Sequence, residues 1–104
     1  MNISVQQLNE MRQKGEDHVL LDVRENEELA IASLDGVLHI PMSALLERVE
    51  EIPNDKPIVV MCHLGGRSAQ VQGWMLQNGF ENVLNLDGGI TAWSAHIDPN
   101  MPRY

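Results

Sequence analysis

Ile58-Val59-Val60-Met61 is an unbroken apolar run, rich in β-branched residues, set between Pro57 and a glycine-containing stretch. A strand that faces water on one side alternates apolar and polar residues, whereas an uninterrupted run belongs to a strand covered on both faces. That is the pattern of a parallel sheet with helices above and below. In such sheets ligands collect beyond the carboxyl ends of the strands, where the following helices begin. The only cysteine of the chain, Cys62, stands at that point, followed by His63-Leu64-Gly65-Gly66-Arg67-Ser68.

The rest of the chain supplies the partners such a strand needs. Ser4 as N-cap, Gln7 three residues later and the apolar pair Ile3 and Leu8 mark a helix from Val5 to Lys14, which Gly15 stops. Val19 to Val23 reads as a strand, Glu25 to Ala32 as a helix, Val37 to Ile40 as a short strand ended by Pro41, and Ser43 to Glu51 as a helix. Arg67 to Asn78 is a helix stopped at Gly79, Val83 to Leu86 a strand and Gly89 to Ser94 a short last helix. This rhythm predicts an α/β fold with a mainly parallel central sheet, helices on both faces and right-handed crossovers. A chain of 104 residues makes one domain, 1–104, with one modest core. Trp74, Phe80 and Trp93 read as core aromatics.

At the end of the central strand, the backbone amides of residues 63–68 are expected to curl around a point above the Cys62 sulfur. The positive end of the next helix favours an anion there, and by the same field the thiolate. A cysteine that only fills space does not need two consecutive glycines and an arginine within the next five residues. Arg67 is expected to hold the loop through its guanidinium fork and to add positive potential. Asp22 is equally readable as a strand-end cap, and His63 as a side chain turned away from its neighbour.

With 15 acidic and 7 basic residues the formal charge is −8, which argues against nucleic acid and against anionic membrane as partners. The acidic runs Glu25-Asn26-Glu27-Glu28 and Glu50-Glu51 read as solvated faces. No stretch resembles a membrane span or a signal peptide, so the expected compartment is the cytoplasm, where a lone thiol stays reduced. One cysteine and four scattered histidines offer no zinc spacing, and neither a metal nor another cofactor is implied. A monomer is the default expectation.

The segment Cys62-x-x-Gly65-x-Arg67-Ser68 resembles the active-site loop of rhodanese-like sulfurtransferases. Leu20-Leu21-Asp22-Val23-Arg24-Glu25 is similar to that family's early Asp-x-Arg strand end, and Asp35-Gly36-Val37-Leu38-His39-Ile40-Pro41 to its Gly-x-x-x-Ile-Pro strand. Asn85-Leu86-Asp87-Gly88-Gly89-Ile90-Thr91-Ala92-Trp93 is similar to its late glycine-rich turn, and Asp98-Pro99-x-x-Pro102-Arg103-Tyr104 to tails of bacterial single-domain members. The resemblance implies a catalytic Cys62 that takes the outer sulfur of a thiosulfate or persulfide donor and passes it to cyanide in an assay, or to a cellular thiol or protein. It implies Arg67 as its catalytic companion. It also implies His63, Leu64, Gly65, Gly66 and Ser68 around the substrate, with Asp22 and Arg24 beside it. Cysteine-dependent phosphatases and arsenate reductases are the rivals, but their loops carry five residues between Cys and Arg, and this one carries four. A non-enzymatic interaction or sulfur-carrier module of the same fold is the other alternative. Because Leu64 is apolar and Gly65-Gly66 carry no charge, the loop is expected to prefer a persulfide or protein-bound sulfur to free thiosulfate.

Overall fold

The run Ile58–Met61 forms β4, and all four of its residues are buried because it lies in the middle of the sheet. In the computed structural model, which describes residues 1–104, the strand order is β1 (Asn2–Ile3), β5 (Val83–Leu86), β4, β2 (Val19–Asp22), β3 (Leu38–His39). Every neighbouring pair is parallel. The helices are α1 (Val5–Lys14), α2 (Asn26–Ile31), α3 (Leu45–Arg48), α4 (Gly66–Gln77) and α5 (Gly89–His96). None is long and apolar enough to cross a membrane.

Strand alternation divides the core into two layers. Leu21, Ile58, Val60, Cys62 and Val83 face one side and pack with Val71 and Met75 of α4 and Leu45 of α3. Leu20, Val59, Met61 and Leu86 face the other and pack with Val5 and Leu8 of α1 and Ile90 and Trp93 of α5. Each fully buried side chain of this size contributes about 1.5–3 kcal/mol, so both faces of the sheet need their helices. Cys62 continues the even-numbered row of β4 that Ile58 and Val60 begin, and its sulfur therefore lies on the α4 side of the sheet.

The start of α1 is capped as its sequence requires. Ser4 Oγ accepts the Gln7 amide at 3.1 Å and Gln7 Oε1 accepts the Ser4 amide at 2.9 Å. Gly15 ends the helix in the left-handed region.

Besides one-residue shifts at the ends of β2, α2, β3 and α4, three details differ from the sequence reading. β1 is a two-residue edge strand that no apolar run announces, held where the Asn85 amide donates to the Met1 carbonyl and the Asp87 amide to the Ile3 carbonyl. Residues 43–51 do not make one helix: 3-10 turns at Met42–Ala44 and Val49–Glu51 flank the single turn of α3. Prolines 41 and 53 bracket the segment closely, and short i→i+3 bonds such as Ala44 to Pro41 tighten its ends. α5 runs two residues beyond Ser94, to His96. Trp93 is buried as expected, while Trp74 and Phe80 are half-buried against the α4-side layer.

Candidate active site

The Cys62 sulfur sits beneath the loop of residues 63–68. Cys62 is 1% exposed, and its Sγ accepts the Gly65 amide at 3.0 Å and lies 3.3 Å from Ser68 Oγ. Gly65 turns the chain back over the sulfur with φ +113°, a conformation that side chains with a Cβ rarely adopt. Burial pushes the Cys62 thiol up, but the Ser68 hydroxyl and the amides of Ser68, Gly65 and Leu64 pull it down. The donors prevail, and the thiol lies below its ordinary value.

The backbone under the sulfur is held from the opposite face. The Ile90 amide donates to the Cys62 carbonyl at 3.0 Å and the Thr91 amide to the His63 carbonyl at 3.2 Å, so the first turn of α5 docks directly onto the backbone of Cys62 and His63. Gly89 makes this approach possible. It has φ +58°, and a Cβ there would lie 2.4 Å from the Cys62 carbonyl oxygen and 2.5 Å from that of His63. Gly89 and the backbone of Cys62 thus meet.

Arg67 does not bond its own loop. Its guanidinium forks onto Glu28 of α2, with Nη1 to Oε1 at 2.6 Å and Nη2 to Oε2 at 2.8 Å. That pairing is the main reason the Glu28 carboxyl is lowered to about 2, and it holds Arg67 firmly in its charged form. Glu28 had read as part of a solvated acidic run; it is instead a partly buried member of the site's framework. Its Oε1 also accepts the Glu25 amide at 3.1 Å, which caps the start of α2.

Asp22 and Arg24 form an ion pair with both side chains 0% exposed. Arg24 Nη2 donates to Asp22 Oδ2 at 2.8 Å and to the Ala32 carbonyl at 2.9 Å, and its Nη1 donates to Tyr104 Oη at 2.9 Å. Neither side chain of the pair offers surface to solvent. The pair ties the end of β2 to α2 and to the C-terminal segment, while His39 Nε2 donates to the Arg24 carbonyl.

Tyr104 closes this framework. Its hydroxyl donates to Glu28 Oε2 at 2.8 Å, and its ring stacks on His63 with centroids 3.9 Å apart and planes 10° apart. His63 is thereby held under an aromatic lid, and Leu64, at 63% exposure, is the loop side chain most open to solvent. Gly66 is exposed at the start of α4. Ser68 is completely buried, with its hydroxyl shared between Cys62 and Asn85 of β5.

Glu28, Asn85 and Tyr104 were missed as site residues by sequence reasoning. Asn85 alone left a local signal, a polar residue in the otherwise apolar run Val83–Leu86. No group of three His, Cys, Asp or Glu side chains is placed to hold a metal ion.

The rhodanese-like domain model matches residues 4–96. The chain is 37% identical over 94 residues to a sulfurtransferase of Allochromatium vinosum, covering 90% of this chain and 88% of that protein. It is 38% identical over 108 residues to the chloroplastic rhodanese-like/PpiC domain-containing protein 12 of Arabidopsis thaliana, covering 94% of this chain but only 36% of that longer protein. The crystal structure of a rhodanese-related protein from Thermoplasma volcanium superposes with a TM-score of 0.82 at 33% identity, covering 97% of this chain and 94% of that one. With a match that runs almost end to end and a sheet, loop and cysteine arranged as described, this chain belongs to the rhodanese-like domain family.

Proposed function

We propose that this protein is a sulfurtransferase that carries a sulfane sulfur as a persulfide on Cys62. The observation that carries the reading is the Cys62 sulfur itself, buried, lowered in pKa and ringed by the Gly65 amide and the Ser68 hydroxyl. In the first half-reaction the Cys62 thiolate attacks the terminal sulfur of the donor. A new Sγ–S bond forms, the donor's S–S bond breaks, and its electron pair leaves with the departing sulfite or thiolate. The terminal sulfur of the Cys62 persulfide keeps one negative charge, which fixed amide dipoles of the loop can stabilise without reorganising. A thiophilic acceptor then attacks that terminal sulfur and the electron pair returns to Cys62 Sγ. One site serves both half-reactions, so ping-pong kinetics follow. The name of the Allochromatium relative agrees with this reading, and the four-residue loop before Arg67 disfavours phosphate chemistry.

The donor we infer is a singly charged persulfide rather than dianionic thiosulfate. Arg67 is neutralised by Glu28, Arg24 by Asp22, and Leu64 offers an apolar rim. A dianion would meet amide dipoles but no unpaired guanidinium of this framework. A small thiol or a protein thiol is the matching acceptor.

The test is intact mass after incubation of the reduced protein with thiosulfate or with a low-molecular-weight alkyl persulfide, followed by donor removal, beside a Cys62→Ser control. The expected result is a gain of about 32 Da on the wild type alone, faster with the persulfide and reversed by cyanide. Faster loading by thiosulfate overturns the donor assignment. No gain with either donor overturns sulfur transfer in favour of a binding module.

A further inference from the structure

The Ser68 hydroxyl has one proton and three acceptors around it. Cys62 Sγ is 3.3 Å away, the Gly65 carbonyl 3.2 Å and Asn85 Oδ1 2.5 Å. A hydroxyl donates once at a time, so these contacts compete. Ser68 lies on α4 and Asn85 on β5, in the layer that also contains Cys62, and Asn85 pairs in register with Val60 one strand over.

The Asn85 amide cannot turn freely. Its Nδ2 donates to the Gly65 carbonyl at 3.2 Å, and since a carbonyl only accepts, Oδ1 is left facing Ser68. We propose that Asn85 is a positioning residue that draws the Ser68 hydroxyl proton away from the Cys62 sulfur, so that it sets how readily the nucleophile ionises. The loop need not collapse without it, because the Gly65 carbonyl also accepts the Ala69 amide at 3.1 Å. Removing the Asn85 side chain therefore frees the hydroxyl for the sulfur, where negative charge makes the bond stronger than one to a neutral acceptor.

Other charges near the sulfur are accounted for separately. Arg67 acts on it from α4 but is paired with Glu28. His63 is its chain neighbour and stacks on Tyr104, Asp87 follows β5 in an exposed turn, and Asp22 and Arg24 cancel each other in their buried pair. None of these makes a hydrogen bond to Ser68 or Asn85.

This inference rests on Cys62 as the nucleophile but not on any donor, so it can be tested without sulfur transfer. Cys62 is the only cysteine, and its thiolate can be titrated directly by ultraviolet absorbance and by alkylation rate against pH. Ser68→Ala is expected to raise the midpoint by about one to two pH units, the size of a lost hydrogen bond to a charged group. Asn85→Ala is expected to lower it by about half a unit in the wild-type background and to leave it unchanged in the Ser68→Ala background. The near-isosteric Asn85→Asp, a stronger acceptor, is the second variant. It should raise the midpoint more when Ser68 is present than when it is Ala. Equal shifts in the two backgrounds, or an upward shift with Asn85→Ala, would overturn the proposal, whatever the sulfur-loading experiment shows.

Discussion

At the scale of single residues, the functional question is which charges remain unspent beside Cys62. In the sequence Arg67 reads as a brace for its own loop that adds positive potential, yet its fork is filled by Glu28. Glu28→Gln should therefore leave Arg67 with a full positive charge and no carboxylate to neutralise it. We expect kcat/KM for thiosulfate to rise by about tenfold, roughly 1.4 kcal/mol at the transition state, with a smaller gain for a singly charged persulfide. The gain should fade in high salt. Steady-state kinetics with both donors at two ionic strengths check this, and a drop for thiosulfate would show that the pair serves orientation alone. Neither Glu28 nor Tyr104 was legible as a site residue. Arg67 meets Glu28 across 39 positions, and Tyr104 meets it across 76, so no local pattern announces either contact.

At the scale of elements, the site is made by the docking of α5 onto the carbonyls of Cys62 and His63. Gly89→Ala would place a methyl in contact with both carbonyl oxygens, at a backbone conformation that alanine rarely adopts. The chain must shift there, and the cost expected is about 2–4 kcal/mol of stability, read as a lower urea midpoint. Sulfur loading of Cys62 should fall as well, because the same shift moves the Cys62 backbone. An unchanged midpoint with unchanged loading would mean that the docking contributes nothing. Most elements were legible in the sequence because each had its own local signal: the capping box of Ser4 and Gln7, the uninterrupted apolar run of β4, Gly79 after α4. β1 was not, since a two-residue strand gains its identity only from β5 beside it. The segment 43–51 read as one helix because apolar spacing cannot distinguish a single helix from a turn of helix between two 3-10 turns.

For the whole molecule, one carboxylate joins parts that the sheet leaves apart. Glu28 belongs to α2, its cation belongs to α4, and Tyr104 reaches it from the C-terminal segment. Its pKa in the folded state is about 2, lowered from the unfolded value near 4.3. A depressed carboxylate stabilises the fold fully above its unfolded value and ceases to do so as pH falls through its folded value. Urea midpoints of the wild type and Glu28→Gln should therefore differ most above about pH 5 and converge toward about pH 2. A gap that persists at the acid end would place the effect in packing. The parallel α/β arrangement and its family were legible in the sequence, whereas this three-way junction arises only when the segments close on one another.

The position of Tyr104 has a topological consequence. Its ring rests on His63, so any polypeptide joined after residue 104 starts beside the sulfur-bearing loop. An acceptor thiol carried on a short flexible extension there would meet Cys62 at an effective concentration in the millimolar range, turning a two-body handover into an intramolecular one.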